Sequence, residues 1–83
     1  MPKPDRSKAL GEAIRQVRSE RGLSQEDAAL ASGIDRAYFG HIERASKNPT
    51  MQTVWKVADA LDVNASELLR RAEKIVGRGA ASR

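Results

Sequence analysis

Apolar residues recur along this chain at intervals of three and four positions, with polar residues between them. This spacing is typical of amphipathic helices, because positions i, i+3, i+4 and i+7 share one face. No stretch alternates apolar and polar residues as a half-buried strand does. The apolar positions fall into five helical groups: Leu10, Ala13, Ile14 and Val17; Ala28, Ala29 and Ala31; Tyr38, Phe39 and Ile42; Val54, Val57, Ala58 and Leu61; and Leu68, Leu69, Ala72 and Ile75. The sequence therefore predicts an all-α fold, a compact five-helix bundle.

Residues that start and stop helices place the boundaries of these elements. Glycine tolerates the left-handed backbone that often follows a helix, so Gly22 ends a first helix predicted from about Ser7 to Glu20. Short polar side chains accept hydrogen bonds from the free N–H groups at a helix start. Such residues precede the other four helices: Ser24, Asp35, Thr50 and Asn64. The first and last of them have an acidic residue three positions later, the capping-box pattern. The third helix is predicted over 35–45.

The length of the chain allows one domain. Its 83 residues can enclose a single small core. The domain is predicted to span residues 7–76, after a flexible N-terminus at 1–6. Residues 77–83 are small and basic and have no apolar pattern, so they are predicted to form a disordered basic tail.

The charge balance favours a polyanionic partner. Lys and Arg number 15 and Asp and Glu 11, which gives a net charge of +4. The basic residues lie in the first segment, in the middle and near the C-terminal end of the chain. The stretch from Glu26 to Asp35 contains none.

Several classes of protein are disfavoured by what the sequence lacks. With no cysteine and one histidine, no thiolate metal site is expected. No glycine-rich phosphate loop or pair of catalytic carboxylates stands out, so we expect no enzyme, no metal and no cofactor. A domain this small offers little room for a small-molecule ligand. No apolar run approaches the roughly 20 residues of a membrane span, and no signal peptide is evident. A cytoplasmic protein is expected.

Two of the predicted helices have the outline of a DNA-binding helix-turn-helix, with a three-residue turn that contains glycine. Ala29 lies where the two helices must cross closely, and Gly33 where the turn needs a positive φ. Ile34 and Ile42 lie where the second of these helices meets the core. An ordinary helical hairpin has the same outline, so the spacing alone leaves both interpretations open.

Six segments carry a resemblance to a known family: Ile14-Arg15-Gln16-Val17-Arg18, Gly22-Leu23-Ser24-Gln25-Glu26, Ser32-Gly33-Ile34, Ile42-Glu43-Arg44, Asn48-Pro49-Thr50 and Leu61-Asp62-Val63. In this order and spacing, the stretch from Leu10 to Leu69 resembles the Cro/phage-repressor helix-turn-helix family, also called xenobiotic-response-element-like. Within it, the chain looks most similar to small restriction-modification controller proteins. The resemblance implies a lambda-repressor-like domain that binds double-stranded DNA and regulates transcription, as a repressor or autoregulator.

The resemblance also implies roles for individual residues. The helix at 35–45 would enter the major groove. Base edges would be read by Arg36, Ala37, Gly40 and His41, and phosphates would be bound by Gln25, Tyr38, Arg44 and Lys47. An arginine can donate two hydrogen bonds to guanine, which suits Arg36. Other interpretations stay open, since Arg36 and His41 could be merely solvated and Tyr38 could cover the core edge.

Three further residues have structural roles in this interpretation. Arg18 and Glu43 match an ion pair of the family that would fix the angle between the first and third helices. Trp55 follows the apolar Val54 and would lie either at the core edge or on the surface of a homodimer. One-domain repressors usually pair on two-fold operators, which favours a homodimer.

Two other functions remain open at this point. The chain could be an antitoxin, in which the same domain binds DNA and also masks a toxin. It could also be a protein-interaction module without DNA binding, although the basic residues Arg36, Arg44 and Lys47 argue against that.

Overall fold

The computed structural model describes the backbone of residues 5–81 and the side chains of residues 5–77. In this part of the chain all the regular structure is helical. The helices are α1 (Arg6–Glu20), α2 (Gln25–Ser32), α3 (Arg36–Glu43), α4 (Met51–Ala60) and α5 (Ala65–Ala81). The predicted all-α, five-helix architecture is confirmed.

The two ends of the domain differ from the prediction. Asp5 caps α1 through a hydrogen bond from the Lys8 N–H, so the helix begins inside the predicted flexible segment. Residues 1–4 lie outside the described part. At the other end the α5 backbone continues to Ala81, where the sequence predicts a disordered tail from residue 77. Once a helix is anchored by packing, each added residue gains a backbone hydrogen bond at little cost, so it extends past its last apolar contact. Residues 82 and 83 are not described.

Capping side chains start α2, α3 and α4 as predicted. The Ser24 hydroxyl accepts from the Asp27 N–H, the Asp35 carboxylate from two N–H groups of α3, and the Thr50 hydroxyl from the Thr53 N–H. Before α5 the Glu67 N–H donates to the Asn64 carbonyl at 2.9 Å and the Glu67 carboxylate binds Arg70 and Arg71, which differs from the predicted capping box.

One capping motif ends each of the first four helices. A residue with a positive φ stands at or directly after each C-cap: Gly22, Gly33, Ala45 and Asp62. The next residue then donates its backbone N–H back across the last turn, with bonds Leu23–Arg18, Ile34–Ala29, Ser46–His41 and Val63–Ala58 of 2.9 to 3.1 Å. These are Schellman motifs, in which the donating residue is usually apolar and packs inward. Leu23, Ile34 and Val63 do so, whereas Ser46 is polar and exposed.

Ala45 has a φ of 60°, which an L side chain adopts only at a steric cost of about 1–2 kcal/mol. We therefore expect Ala45→Gly to raise the free energy of unfolding by up to about 1 kcal/mol, since glycine also gains freedom in the unfolded chain. Denaturant unfolding measures the change. Ala60→Gly, at the last residue of α4, where φ is not positive, is the matched control and should lower stability by up to about 1 kcal/mol. A loss at both positions would contradict the strained conformation at Ala45.

The core lies between α1 and the other helices. Its largest fully buried side chains are Phe39, Ile14, Leu61, Leu68, Val17 and Val57. Ala28 is completely buried in the middle of α2, and the Phe39 ring is in the same cluster. One position predicted to face inward does not, because Leu69 is 40% exposed.

An ion-pair bridge joins the end of α1 to α5. The Arg71 guanidinium donates to the Glu20 carboxylate at 2.6 and 2.8 Å and to Glu67 at 2.9 Å. The hydrogen bonds from Arg71 lower the pKa of Glu20, and those from Arg70 and Arg71 lower the pKa of Glu67. Both carboxylates therefore stay charged below the usual glutamate range. This bridge holds the outer helix of the bundle, away from α2 and α3.

Candidate nucleic-acid interface

Helices α2 and α3 form a compact helix-turn-helix. The three residues between them begin with Gly33, whose φ of 68° reverses the chain. Ile34 then donates its N–H to the Ala29 carbonyl at 3.0 Å and packs against the core. Since α3 buries Phe39 and Ile42, its opposite face is left on the surface of the molecule.

That surface of α3 carries most of the residues predicted to read bases. Arg36 and Ala37 are exposed in the first turn, and His41 is half-buried one turn later. The helix ends at Glu43 with Arg44 as its C-cap, two residues before the predicted end at Ala45. Ala45 cannot continue the helix because of its positive φ.

Gly40 differs from its prediction. It is buried, and a Cβ built on it would lie 3.0 Å from Nη1 of Arg44. The Arg44 guanidinium therefore covers Gly40, which does not present an open surface of its own. The absence of a side chain at Gly40 gives Arg44 the room to lie back along the outward face of α3.

A polar network fixes the C-terminal end of α3 to the rest of the fold. Arg18 donates from Nε to Glu43 Oε2 at 2.7 Å and from Nη2 to Oε1 at 3.2 Å. Its Nη1 donates to the Leu23 carbonyl at 2.9 Å. The Arg18 and Glu43 side chains are 15% and 2% exposed, so the structure places the predicted pair together and largely buries it.

Gln25 belongs to the same network, which the sequence analysis missed. Its Nε2 donates to Glu43 Oε1 at 2.8 Å. The amide has two N–H groups, so one is left for a ligand at the start of α2. The predicted phosphate contact of Gln25 would therefore come from a side chain whose position Glu43 fixes. The sequence signal was the family motif alone, and no spacing rule links positions 18, 25 and 43.

Gly11 was also missed by the sequence analysis. It is buried in α1, and a Cβ there would overlap the Glu43 carbonyl and lie 2.7 Å from the Ile42 carbonyl oxygen. The α1 backbone thus meets the last turn of α3 directly. A glycine inside an amphipathic stripe was the only available signal.

The other predicted contacts lie around this surface. Tyr38 is half-buried against the core cluster, so its ring has the packing role that the sequence left open. Lys47 is exposed in the loop that follows α3. A hydrogen bond of 2.6 Å from Ser7 Oγ to Asn48 Oδ1 connects this loop to α1.

Trp55 lies on α4, outside the helix-turn-helix. Its side chain is 56% exposed, and Met51, one turn earlier on α4, is 48% exposed. Leu69 on α5 adds a third exposed apolar side chain. Trp55 is therefore more a surface residue than a core-edge residue.

Among the described residues no cluster of side chains suited to a metal ion is found. None of the described helices is long and apolar enough to cross a membrane.

Comparison with known proteins identifies the class that this fold defines. A sequence profile of the helix-turn-helix family matches residues 14–68, which include α2, the turn, α3 and α4. The chain belongs to the Cro/C1-type helix-turn-helix family.

Individual proteins are also similar to this chain in sequence and in structure. Control protein C.SmaI of Serratia marcescens is 39% identical over 67 residues, which cover 81% of this chain and 80% of the relative. The crystal structure of the restriction-modification controller protein C.AhdI from Aeromonas hydrophila is 41% identical, with a TM-score of 0.72 over 74% of this chain and 92% of that one. The clp gene regulator ClgR from Corynebacterium glutamicum has a TM-score of 0.92 at 28% identity, over 98% of this chain and 86% of its own.

The family match and these similarities establish the general class of function. The chain is a DNA-binding transcriptional regulator and not an enzyme, as the sequence analysis predicted. The resemblance to restriction-modification controller proteins is confirmed as well.

Proposed function

We propose that this protein binds a two-fold operator as a homodimer and reads each half-site with the outward face of α3, mainly with its N-terminal half. The observation that carries the proposal is the division of α3 into two halves. Its C-terminal end is held by the Arg18–Glu43–Gln25 network, while Arg36 and Ala37 are exposed in the first turn. Recognition helices contact base edges mainly through their N-terminal residues, which matches this arrangement.

Within the proposed site, Arg36 donates to guanine O6 and N7, and Ala37 contacts a thymine methyl group. The backbone contacts come from Gln25, Arg44, Lys47 and the Tyr38 hydroxyl. Gln25 supports this role most directly, since it stands at the N-terminus of α2, where free N–H groups and the helix dipole favour an anion.

A second copy of the chain is the proposed protein partner. Trp55, Met51 and Leu69 leave apolar area exposed on α4 and α5, which are not part of the helix-turn-helix. Burial of this area between two copies would remove it from water and place two α3 helices on one duplex, about one helical turn apart. Since its ligand is DNA, we further propose that the protein acts in the cytoplasm.

The test of base reading is Arg36→Ala. A bidentate arginine–guanine contact contributes about 1–3 kcal/mol of discrimination, whereas a phosphate contact carries no base preference. We expect the variant to lose preference at one base pair in each half-site, in a base-by-base substitution profile of an operator selected from random duplexes. Lys47→Ala is the matched control and should weaken all sequences about equally. An unchanged profile with uniformly weaker binding would assign Arg36 to the DNA backbone.

Gly40→Ala is expected to have opposite effects on stability and on operator binding. Alanine improves helix propensity by about 0.5–1 kcal/mol, and the flexible Arg44 side chain can move away from the new methyl group. We expect stability measured by denaturant unfolding to rise while operator affinity falls about tenfold, the usual size for a lost hydrogen bond to a charged group. Arg44→Ala should lower affinity by a similar factor. Full affinity in Gly40→Ala would show that Arg44 does not act from its position over Gly40.

A further inference from the structure

The end of α3 differs from the other helix ends in one respect. In the motifs that end α1, α2 and α4, the last donating residue is apolar and packs against the core: Leu23, Ile34 and Val63. At α3 this residue is Ser46, which is exposed. The apolar contact that usually accompanies this motif is replaced here by a polar one. Its partner is His41, the residue at the other end of the same backbone hydrogen bond.

Ser46 makes two contacts with His41 through its hydroxyl. Oγ lies 2.8 Å from Nδ1 of the imidazole and 3.3 Å from the His41 carbonyl oxygen. The backbone N–H of Ser46 also donates to this carbonyl, at 2.9 Å. Ser46 therefore holds the His41 imidazole against the C-terminal end of α3, and both residues belong to the same segment of the chain.

The hydroxyl has one hydrogen to donate. If it donates to the His41 carbonyl, its oxygen accepts a hydrogen bond from Nδ1–H, and both Oγ contacts are hydrogen bonds. If it donates to Nδ1, the contact with the carbonyl is left without a hydrogen. The first arrangement satisfies more groups and requires a proton on Nδ1, which in the neutral ring leaves Nε2 without one. The partner of one ring nitrogen decides the state of the other, so Nε2 becomes an acceptor.

We propose that Ser46 is a positioning residue for base recognition: it fixes the His41 tautomer so that Nε2 accepts a hydrogen bond from a base. This inference rests on the proposed function, in which the outward face of α3 lies in the major groove. In that groove adenine N6 and cytosine N4 offer donors, whereas guanine offers acceptors alone and thymine an acceptor and a methyl group. His41 therefore selects an amino-bearing base. In this tautomer it does not serve as a donor to phosphate.

The tautomer can be tested on the full chain without DNA. His41 is the only histidine, so long-range proton–nitrogen correlation spectra have a single ring to assign. For the neutral ring, in spectra recorded at mildly alkaline pH, we expect Nδ1 to give a pyrrole-type signal and Nε2 a pyridine-type signal. Ser46→Ala should move the proton toward Nε2, and Ser46→Thr should restore the wild-type spectrum because it keeps the hydroxyl. Ser66→Ala, an exposed serine in α5, should change nothing.

The reading role is tested with substitution profiles of a selected operator. In the wild type, one base pair in each half-site should prefer adenine or cytosine on the strand that faces His41. Ser46→Ala should reduce this preference by roughly fivefold, the factor for one neutral hydrogen bond. Ser46→Thr should keep it, and the preference read by Arg36 should stay unchanged in both variants.

The two proposals fail in different ways. A wild-type ring with its proton on Nε2, or a Ser46→Ala ring with an unchanged spectrum, would overturn the positioning role whether or not the protein binds DNA. Uniform weakening of all duplexes in Ser46→Ala would overturn base reading by His41. A wild-type protein that binds no duplex at any salt concentration would overturn the proposed function together with the reading role.

Discussion

Glu43→Ala is expected to lower the free energy of unfolding by about 3 kcal/mol, because it leaves a buried cation without its partner. The Glu43 side chain is 2% exposed and accepts hydrogen bonds from both Arg18 and Gln25. Its removal strands the Arg18 guanidinium, which keeps one bond to the Leu23 carbonyl. Denaturant unfolding of the wild type and the variant measures the difference.

Two comparisons make this result specific. Glu12→Ala removes a carboxylate from an exposed pair with Arg15 on α1 and should change stability by less than about 1 kcal/mol. The double variant Arg18→Met with Glu43→Leu should recover much of the loss, since an apolar pair of similar volume avoids the cost of burying charge. If Glu43→Ala and Glu12→Ala unfold alike, the pair contributes nothing to the fold.

Gly11→Ala is the second change with a large expected effect. A methyl group at this position would overlap the Ile42 and Glu43 carbonyls at the end of α3, and these are backbone atoms that cannot rotate away. Overpacking of this kind costs about 1–3 kcal/mol, and α3 would shift away from α1. We expect a loss of stability near the upper end of that range and weaker operator binding even at a temperature where the variant is fully folded.

The matched control for Gly11→Ala is Gly77→Ala in α5. No atom lies within 4 Å of the position that a Cβ would take there. The exchange should therefore raise stability by about 0.5–1 kcal/mol through helix propensity alone. A Gly11→Ala protein as stable as the wild type would show that α1 and α3 can separate without cost.

The sequence predicts the helices well because their signals are local. A capping side chain such as Ser24, a left-handed glycine such as Gly33 and an apolar stripe such as Val54, Val57 and Ala58 each act within one or two turns. Ala45 shows the limit of local signals, since nothing in its residue type indicates a positive φ.

The site was predicted less completely, because its residues interact across long separations in sequence. Arg18 and Glu43 were paired through the family resemblance, whereas the Gln25 bond to Glu43 and the contact of Gly11 with α3 depend on how three helices meet. The exposure predicted for Gly40 was wrong for a related reason. Its position in the helix faces outward, but the Arg44 side chain covers it. The spacing of residues in the sequence does not predict the conformation of a long side chain.

Because α3 is anchored at its C-terminal end and exposed in its first turn, the operator preference of the protein can be changed by substitution. The groups that fix the orientation of this helix are Arg18, Glu43 and Gly11, and none of them lies in its exposed first turn. Arg36 and Ala37 are in that turn and outside the core. A randomised library at these two positions should therefore consist mostly of folded proteins, in which selection acts on the DNA preference alone.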